Sequence, residues 1–177
     1  MGSMLLPIEP FSTPQLVRYF PSQKYDLHTD FWPEHQITTD ENTGEQVYFN
    51  RVASFFVFLR DNCTRGETFF PLVEPSPAAV SNLEELYKDK VARGEMDGKS
   101  RGVKFKPIRG NAVFWVNLDP NGKGDRRVVH AGLPVGEGEK IGLNIWPRKF
   151  FGFVDSGDAV DGKKEKERKA WGGKWKE

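Results

Sequence analysis

In the segment Tyr25-Asp26-Leu27-His28-Thr29-Asp30 an imidazole and a carboxylate stand two positions apart. The segment reads as a strand, and alternate residues of a strand leave the same face, so His28 and Asp30 have the placement of two ligands to one metal. His-x-Asp on its own is a weak signal, because a solvated histidine and aspartate are the ordinary reading of such a tripeptide. His130, in a separate β run far along the chain, raises its value. Two imidazoles and one carboxylate form the facial set that suits ferrous iron and leaves the opposite coordination positions open. Those positions can take a bidentate oxo-acid and then dioxygen.

An oxo-acid with a second carboxylate needs a cation at its distal end. Lys140 opens the run Lys140-Ile141-Gly142-Leu143-Asn144-Ile145-Trp146, in which Lys140, Gly142, Asn144 and Trp146 share one face by alternation. A lysine at a strand start is usually solvated. One that shares its face with Asn and Trp reads as part of a polar cavity wall, where its ammonium can make charge-assisted hydrogen bonds. Ile141, Leu143 and Ile145 are then expected to point into apolar packing. His35, the remaining histidine, reads as a loop residue.

These side chains need a frame. From Gln15 to Phe150 the chain consists of short β-branched and aromatic runs broken by Gly, Pro, Asn and Asp, the pattern of an all-β sandwich or barrel. About eight runs meet that criterion: Gln15 to Phe20, Tyr25 to Phe31, Val47 to Leu59, Glu67 to Phe70, Val103 to Ile108, Ala112 to Leu118, Arg127 to Ala131, and Lys140 to Trp146. The third is the longest and most apolar, as expected for a central strand covered on both faces. Ser81 to Arg93 carries Leu83, Leu86, Tyr87 and Val91 at helical spacing behind a Ser81 cap with Glu84 three residues on, which predicts a helix. Gly94 to Gly102 reads as a polar loop. The expected organisation is one domain over residues 1–154, with an insertion over 74–102 and a charged flexible tail over 155–177.

Bulk properties exclude several classes. Lys plus Arg number 26 against 25 Asp plus Glu, so the global charge points neither to nucleic acid nor to an anionic membrane. A chain of 177 residues, 37% hydrophobic and 13% aromatic, fits one domain with a real core. The only cysteine, Cys63, allows no internal disulfide. No stretch approaches the roughly 20 apolar residues that span a bilayer. The chain is therefore expected to be soluble, in the cytoplasm or, given a targeting segment outside it, in the lumen of the endoplasmic reticulum.

The ordered motifs resemble the prolyl 4-hydroxylase-like 2-oxoglutarate/Fe(II)-dependent dioxygenases. The likeness runs from about Gln15 to Arg148 and takes in Arg18-Tyr19, Gln23-Lys24-Tyr25, His28-Thr29-Asp30, Asn50-Arg51-Val52-Ala53, Gly66-Glu67-Thr68-Phe69-Phe70-Pro71, Gly110-Asn111-Ala112-Val113-Phe114-Trp115, His130, Lys140 and Trp146. It implies a double-stranded β-helix, or jelly roll, with His28, Asp30 and His130 binding Fe(2+). Lys140, helped by Thr68, would hold the distal carboxylate of the cosubstrate 2-oxoglutarate, with Tyr19 hydrogen-bonding it near the metal. Tyr25, Arg51 and Trp146 match positions on the substrate side. O2 is the second cosubstrate, L-ascorbate an optional further cofactor, and the substrate peptidyl proline or a small molecule.

Members of that family normally place helices before the first strand, against the outer sheet, and here few residues precede Gln15. The outer face of the long sheet is therefore expected to be exposed, or covered by a partner or by helices outside this chain. Two other readings compete. A cupin-type acid-binding or sugar-binding protein shares the architecture, but the order of His-x-Asp, distal His and Lys is wrong for it. A pseudoenzyme or truncated barrel acting as a binding module would keep the barrel without the chemistry.

Overall fold

The computed structural model describes residues 10–40, 43–74, 89–96 and 98–154. Almost every described element is a strand, and the chain alternates between two facing antiparallel sheets, the path of a double-stranded β-helix. One sheet has four strands: β1 (Gln15–Tyr19), β5 (Ala53–Arg60), β10 (Ala112–Val116) and β13 (Lys140–Ile145), in the order β1-β13-β5-β10. The opposing sheet has five: β2 (Tyr25–His28), β7 (Thr68–Phe70), β8 (Val91–Met96), β9 (Lys99–Phe105) and β11 (His130–Gly132), in the order β2-β11-β7-β9-β8. Smaller sheets join β3 (Gln36–Thr39), β4 (Gln46–Arg51) and β14 (Arg148–Phe153), and pair β6 (Cys63–Arg65) with β12 (Val135–Gly138). No described helix is long and apolar enough to cross a membrane.

Strand alternation builds the core. Phe56, Phe58, Val113 and Trp115 point inward from the first sheet and meet Phe70 and Val103 from the second. Gly142 makes this packing possible, because a Cβ there would lie 2.2 Å from the ring of Phe56. Glu139, buried beside Lys140, pairs with Arg18 and with Arg60, tying the ends of β1 and β5 to the start of β13.

Four expectations need correction. The run Val47 to Leu59 is two strands, because Val52 gives its N–H to the Pro147 carbonyl beside β14 and its carbonyl to the Asn117 N–H beside β10, and β4 and β5 enter different sheets. β5 is buried on its inner face only. Its outer residues Phe55 and Val57 are half-buried, and with Leu16 (66% exposed), Phe114 (54%) and Val116 (50%) they form an apolar outer face that also receives Ile141, Leu143 and Ile145. Those isoleucines and Leu143 are therefore not core residues. The predicted helix is wrong over residues 91–93 and the predicted loop over 94–96 and 99–102, which belong to the paired strands β8 and β9 that continue the second sheet beyond β7. A six-residue segment with Val91 and Arg93 facing their β9 partners is satisfied as well by strand pairing as by a helical turn, and the free edge of β7 decides. The helix prediction over residues 81–88 and the flexible tail over 155–177 lie outside the described residues.

Candidate metal and oxo-acid site

His28 and His130 are direct cross-strand partners in the β2-β11 ladder. Paired residues on one face bring their side chains into contact, and the two imidazole centroids lie 4.3 Å apart. β2 ends at His28, so Asp30 does not share a strand face with it as alternation predicted; a bend at residues 30 and 31 carries the carboxylate back toward both histidines. Asp30 Oδ1 is 3.6 Å from His28 Nε2 and 3.9 Å from His130 Nε2. One ligand atom from each of the three residues lies within 4.8 Å of the others.

The backbone sets which nitrogen each histidine presents. His28 Nδ1 lies 2.8 Å from the Asp26 carbonyl and His130 Nδ1 lies 3.0 Å from the Val128 carbonyl. A carbonyl can only accept, so both Nδ1 atoms carry a proton and Nε2 is the nitrogen that each ring turns to the cluster. Burial lowers the His130 pKa more than Asp30 raises it, which favours the neutral, ligating imidazole. For Asp30, burial acts to raise the pKa, but at the acid pH where it titrates the protonated His28 donating to it, the field of the protonated His130 and the Ser54 hydroxyl outweigh that and hold the carboxyl at about 2. The Trp146 indole N–H adds a smaller pull from a geometry short of a hydrogen bond. Asp30 is therefore an anion at neutral pH.

Lys140 is 1% exposed and donates to the Gly66 carbonyl at 2.7 Å. Its ammonium lies 4.8 Å from the centre of the Tyr19 ring. No carboxylate among the described residues is within salt-bridge distance of it. Burial pulls its pKa down to about 8, partly offset by Cys63 and Glu67, so the cation persists at neutral pH as a buried charge awaiting an anion. Burial, and then Tyr25, raises the Tyr19 phenol, which stays a donor. Arg51 is clamped between Trp146 (3.7 Å to the ring centre) and Trp32 (4.4 Å) and donates to the Asp30 carbonyl at 3.3 Å. Burial lowers its pKa against the pull of Asp30.

All nine residues singled out from the sequence, His28, Asp30, His130, Lys140, Tyr19, Thr68, Tyr25, Arg51 and Trp146, line one cavity of about 840 Å³. His35 stands apart, stacked on Phe151 at 3.8 Å. Two residues quoted in the motifs without a role, Phe70 and Trp115, and one that the motif reading passed over, Ser54, also contribute. Trp115 packs edge-on against His130, Phe70 stacks on the same imidazole and touches Trp115, and Ser54 touches Asp30. A small polar residue inside an apolar run, as Ser54 is, was the available signal. Three buried donors of lining residues, Arg51 Nε, Trp115 Nε1 and Trp146 Nε1, have no hydrogen-bond partner. Two imidazoles that turn Nε2 to the cluster, one anionic carboxylate, an unpaired lysine and unpartnered donors together fit a divalent metal with an anionic, oxygen-rich ligand.

Comparison with known proteins gives the same direction. Residues 14–148 match the model of the 2OG-Fe(II) oxygenase superfamily. The chain is 34% identical over 157 residues to probable prolyl 4-hydroxylase 4 of Arabidopsis thaliana, covering 88% of this chain and 46% of the relative. It is 30% identical over 135 residues to prolyl 4-hydroxylase 1 of the same plant, covering 76% and 40%. Among solved structures, it is similar to a viral collagen prolyl hydroxylase from Paramecium Bursaria Chlorella virus-1 in its 2OG complex. That match has 28% identity and a TM-score of 0.50, covering 78% of this chain and 58% of the other. The chain thus spans about half the length of the plant relatives it matches.

Proposed function

Because the chain belongs to the 2OG-Fe(II) oxygenase superfamily, we propose that it is an Fe(II)- and 2-oxoglutarate-dependent dioxygenase that hydroxylates peptidyl proline or a related amino-acid substrate. The observation that carries this reading is the convergence of His28, Asp30 and His130 in a cavity that also holds the buried, unpaired Lys140. When bound, the iron supplies dioxygen activation coupled to decarboxylation of 2-oxoglutarate to succinate and carbon dioxide, with the second oxygen atom entering a substrate C–H bond.

The protein's part is to bind, orient and exclude water. His28 and His130 offer Nε2 and Asp30 offers Oδ1 to the metal. Lys140, with the Thr68 hydroxyl, holds the distal carboxylate of 2-oxoglutarate, and a charge-assisted bond there fixes the acid end to end. The Tyr19 hydroxyl donates to the same molecule. Tyr25, Arg51 and Trp146 face the substrate, and the two tryptophans keep the Arg51 guanidinium in one plane so that it meets a carbonyl or carboxylate without loss of side-chain freedom. The cavity volume falls within the usual range for small-molecule sites, roughly 300–1,000 Å³, leaving room for the cosubstrate and one residue of a peptide.

The test is succinate release by the purified chain with Fe(II), 2-oxoglutarate, ascorbate and proline-rich peptides, read beside a one-oxygen mass gain in the peptide. His28→Ala, Asp30→Ala and His130→Ala are each expected to abolish both signals, and full turnover in any one of them refutes the ligand assignment. Metal and 2-oxoglutarate binding without succinate release would favour the binding-module reading.

A further inference from the structure

Resting on the metal-site reading above, we infer that Ser54 and Asn117 are positioning residues: a buried Asn117-to-Ser54-to-Asp30 relay holds one carboxylate oxygen and leaves the other alone to face the metal. Ser54 Oγ donates to Asp30 Oδ2 at 2.6 Å, and Asn117 Nδ2 donates to Ser54 Oγ at 2.9 Å. Both residues are 0% exposed, so no water competes. Oδ1, which the relay does not touch, is the oxygen turned toward both histidine Nε2 atoms.

The direction of the relay follows from donor counting. An ionised carboxylate only accepts, so Ser54 must give it its single hydroxyl proton. Ser54 then has only lone pairs left for Asn117, which fixes the amide with its NH2 toward the serine. The opposite Asn117 Oδ1 is left buried with no partner. Such an orphaned acceptor costs stability, and a purely structural site would be better served by an apolar residue.

Asn117 is itself anchored where the barrel sets the site's geometry. Its N–H donates to the Val52 carbonyl at the break between β4 and β5, and its carbonyl accepts from the Asp125 N–H at the entry to the turn Arg126–Val128 that leads into His130. The relay therefore links the Asp30 carboxylate to the segment that carries the distal histidine. A carboxylate free to rotate can chelate a metal through both oxygens and take a position that a two-oxygen cosubstrate needs. Held at Oδ2, it presents one oxygen only. Residues behind a ligand commonly change metal affinity by about 10–100-fold when lost.

Co(II), a spectroscopic probe that needs no turnover, tests the inference in the full chain through its dissociation constant and its visible d–d spectrum with and without 2-oxoglutarate. Ser54→Ala is expected to weaken Co(II) by about 10–100-fold and to change the spectrum recorded with 2-oxoglutarate, while Ser54→Thr, which keeps the hydroxyl, stays closer to wild type in both. Asn117→Ala, which removes only the outer donor, is expected to show the same spectral change with a smaller loss of affinity, and it carries the test if melting curves show that Ser54→Ala does not fold. Wild-type affinity and spectrum in a folded Ser54→Ala or Asn117→Ala protein would overturn the relay. Asp30→Ala separates the two levels: if it too binds Co(II) like wild type, the metal-site reading fails, whereas its loss of binding beside unaltered Ser54 and Asn117 variants sinks the relay alone.

Discussion

Replacing Lys140 with methionine should make the empty protein more stable and its cosubstrate binding far weaker. Burial draws the ammonium from its ordinary 10.5 to about 8, so keeping it charged at pH 7 costs the fold roughly 3 kcal/mol. Methionine follows the same unbranched path through the site without a charge, at the loss of the bond to the Gly66 carbonyl, about 1 kcal/mol. The balance is a gain of about 2 kcal/mol, or roughly 4–8 °C in melting temperature for a chain of this size. The pH dependence has a definite sign. The unfolded lysine holds its proton more tightly than the folded one, so wild-type stability should rise from about pH 8 to 10.5, and the variant should lack that rise. In the same variant 2-oxoglutarate loses its charge partner, worth about 2–5 kcal/mol when buried, or at least about 30-fold in affinity. Thermal melts across pH and cosubstrate titration by calorimetry read both effects. A Lys140→Met protein that melts lower than wild type and binds 2-oxoglutarate equally well would refute the view of Lys140 as an unpaired anchor.

In the wild type, 2-oxoglutarate affinity should decline as pH rises through about 8, reaching about tenfold by pH 9; Lys140→Arg, whose cation does not titrate there, should show no such decline in the same titrations. Gly142→Ala places a Cβ 2.2 Å from the Phe56 ring and should destabilise the fold by about 1–3 kcal/mol, and an unchanged denaturation midpoint would show that β13 can shift away from β5. The apolar outer face should drive self-association of the isolated chain. Phe114→Lys, at its exposed edge, is expected to lower light scattering at equal protein concentration without loss of melting temperature, since single exposed substitutions usually stay within about 0.5 kcal/mol; scattering that does not change assigns the association to another surface.

His28, Asp30, His130 and Lys140 could be singled out from residue type, spacing and alternation, because metal and carboxylate chemistry accepts few side chains and a strand's period of two is visible in the sequence. What alternation could not supply was pairing. His28 meets His130 because β2 and β11 are register partners, a contact between distant segments that no local window contains. Asp30 reaches them through a bend beyond its strand, not by sharing its face. β8 and β9 became paired strands because β7 offers an edge to β9, and local periodicity cannot register that edge. Ser54 and Asn117 illustrate the same limit. Ser54 lies within one apolar strand and Asn117 just past another, unremarkable until β5, β10 and the bend at Asp30 bring them together; hydrogen-bond partners are set by three-dimensional proximity, and only the folded chain chooses them.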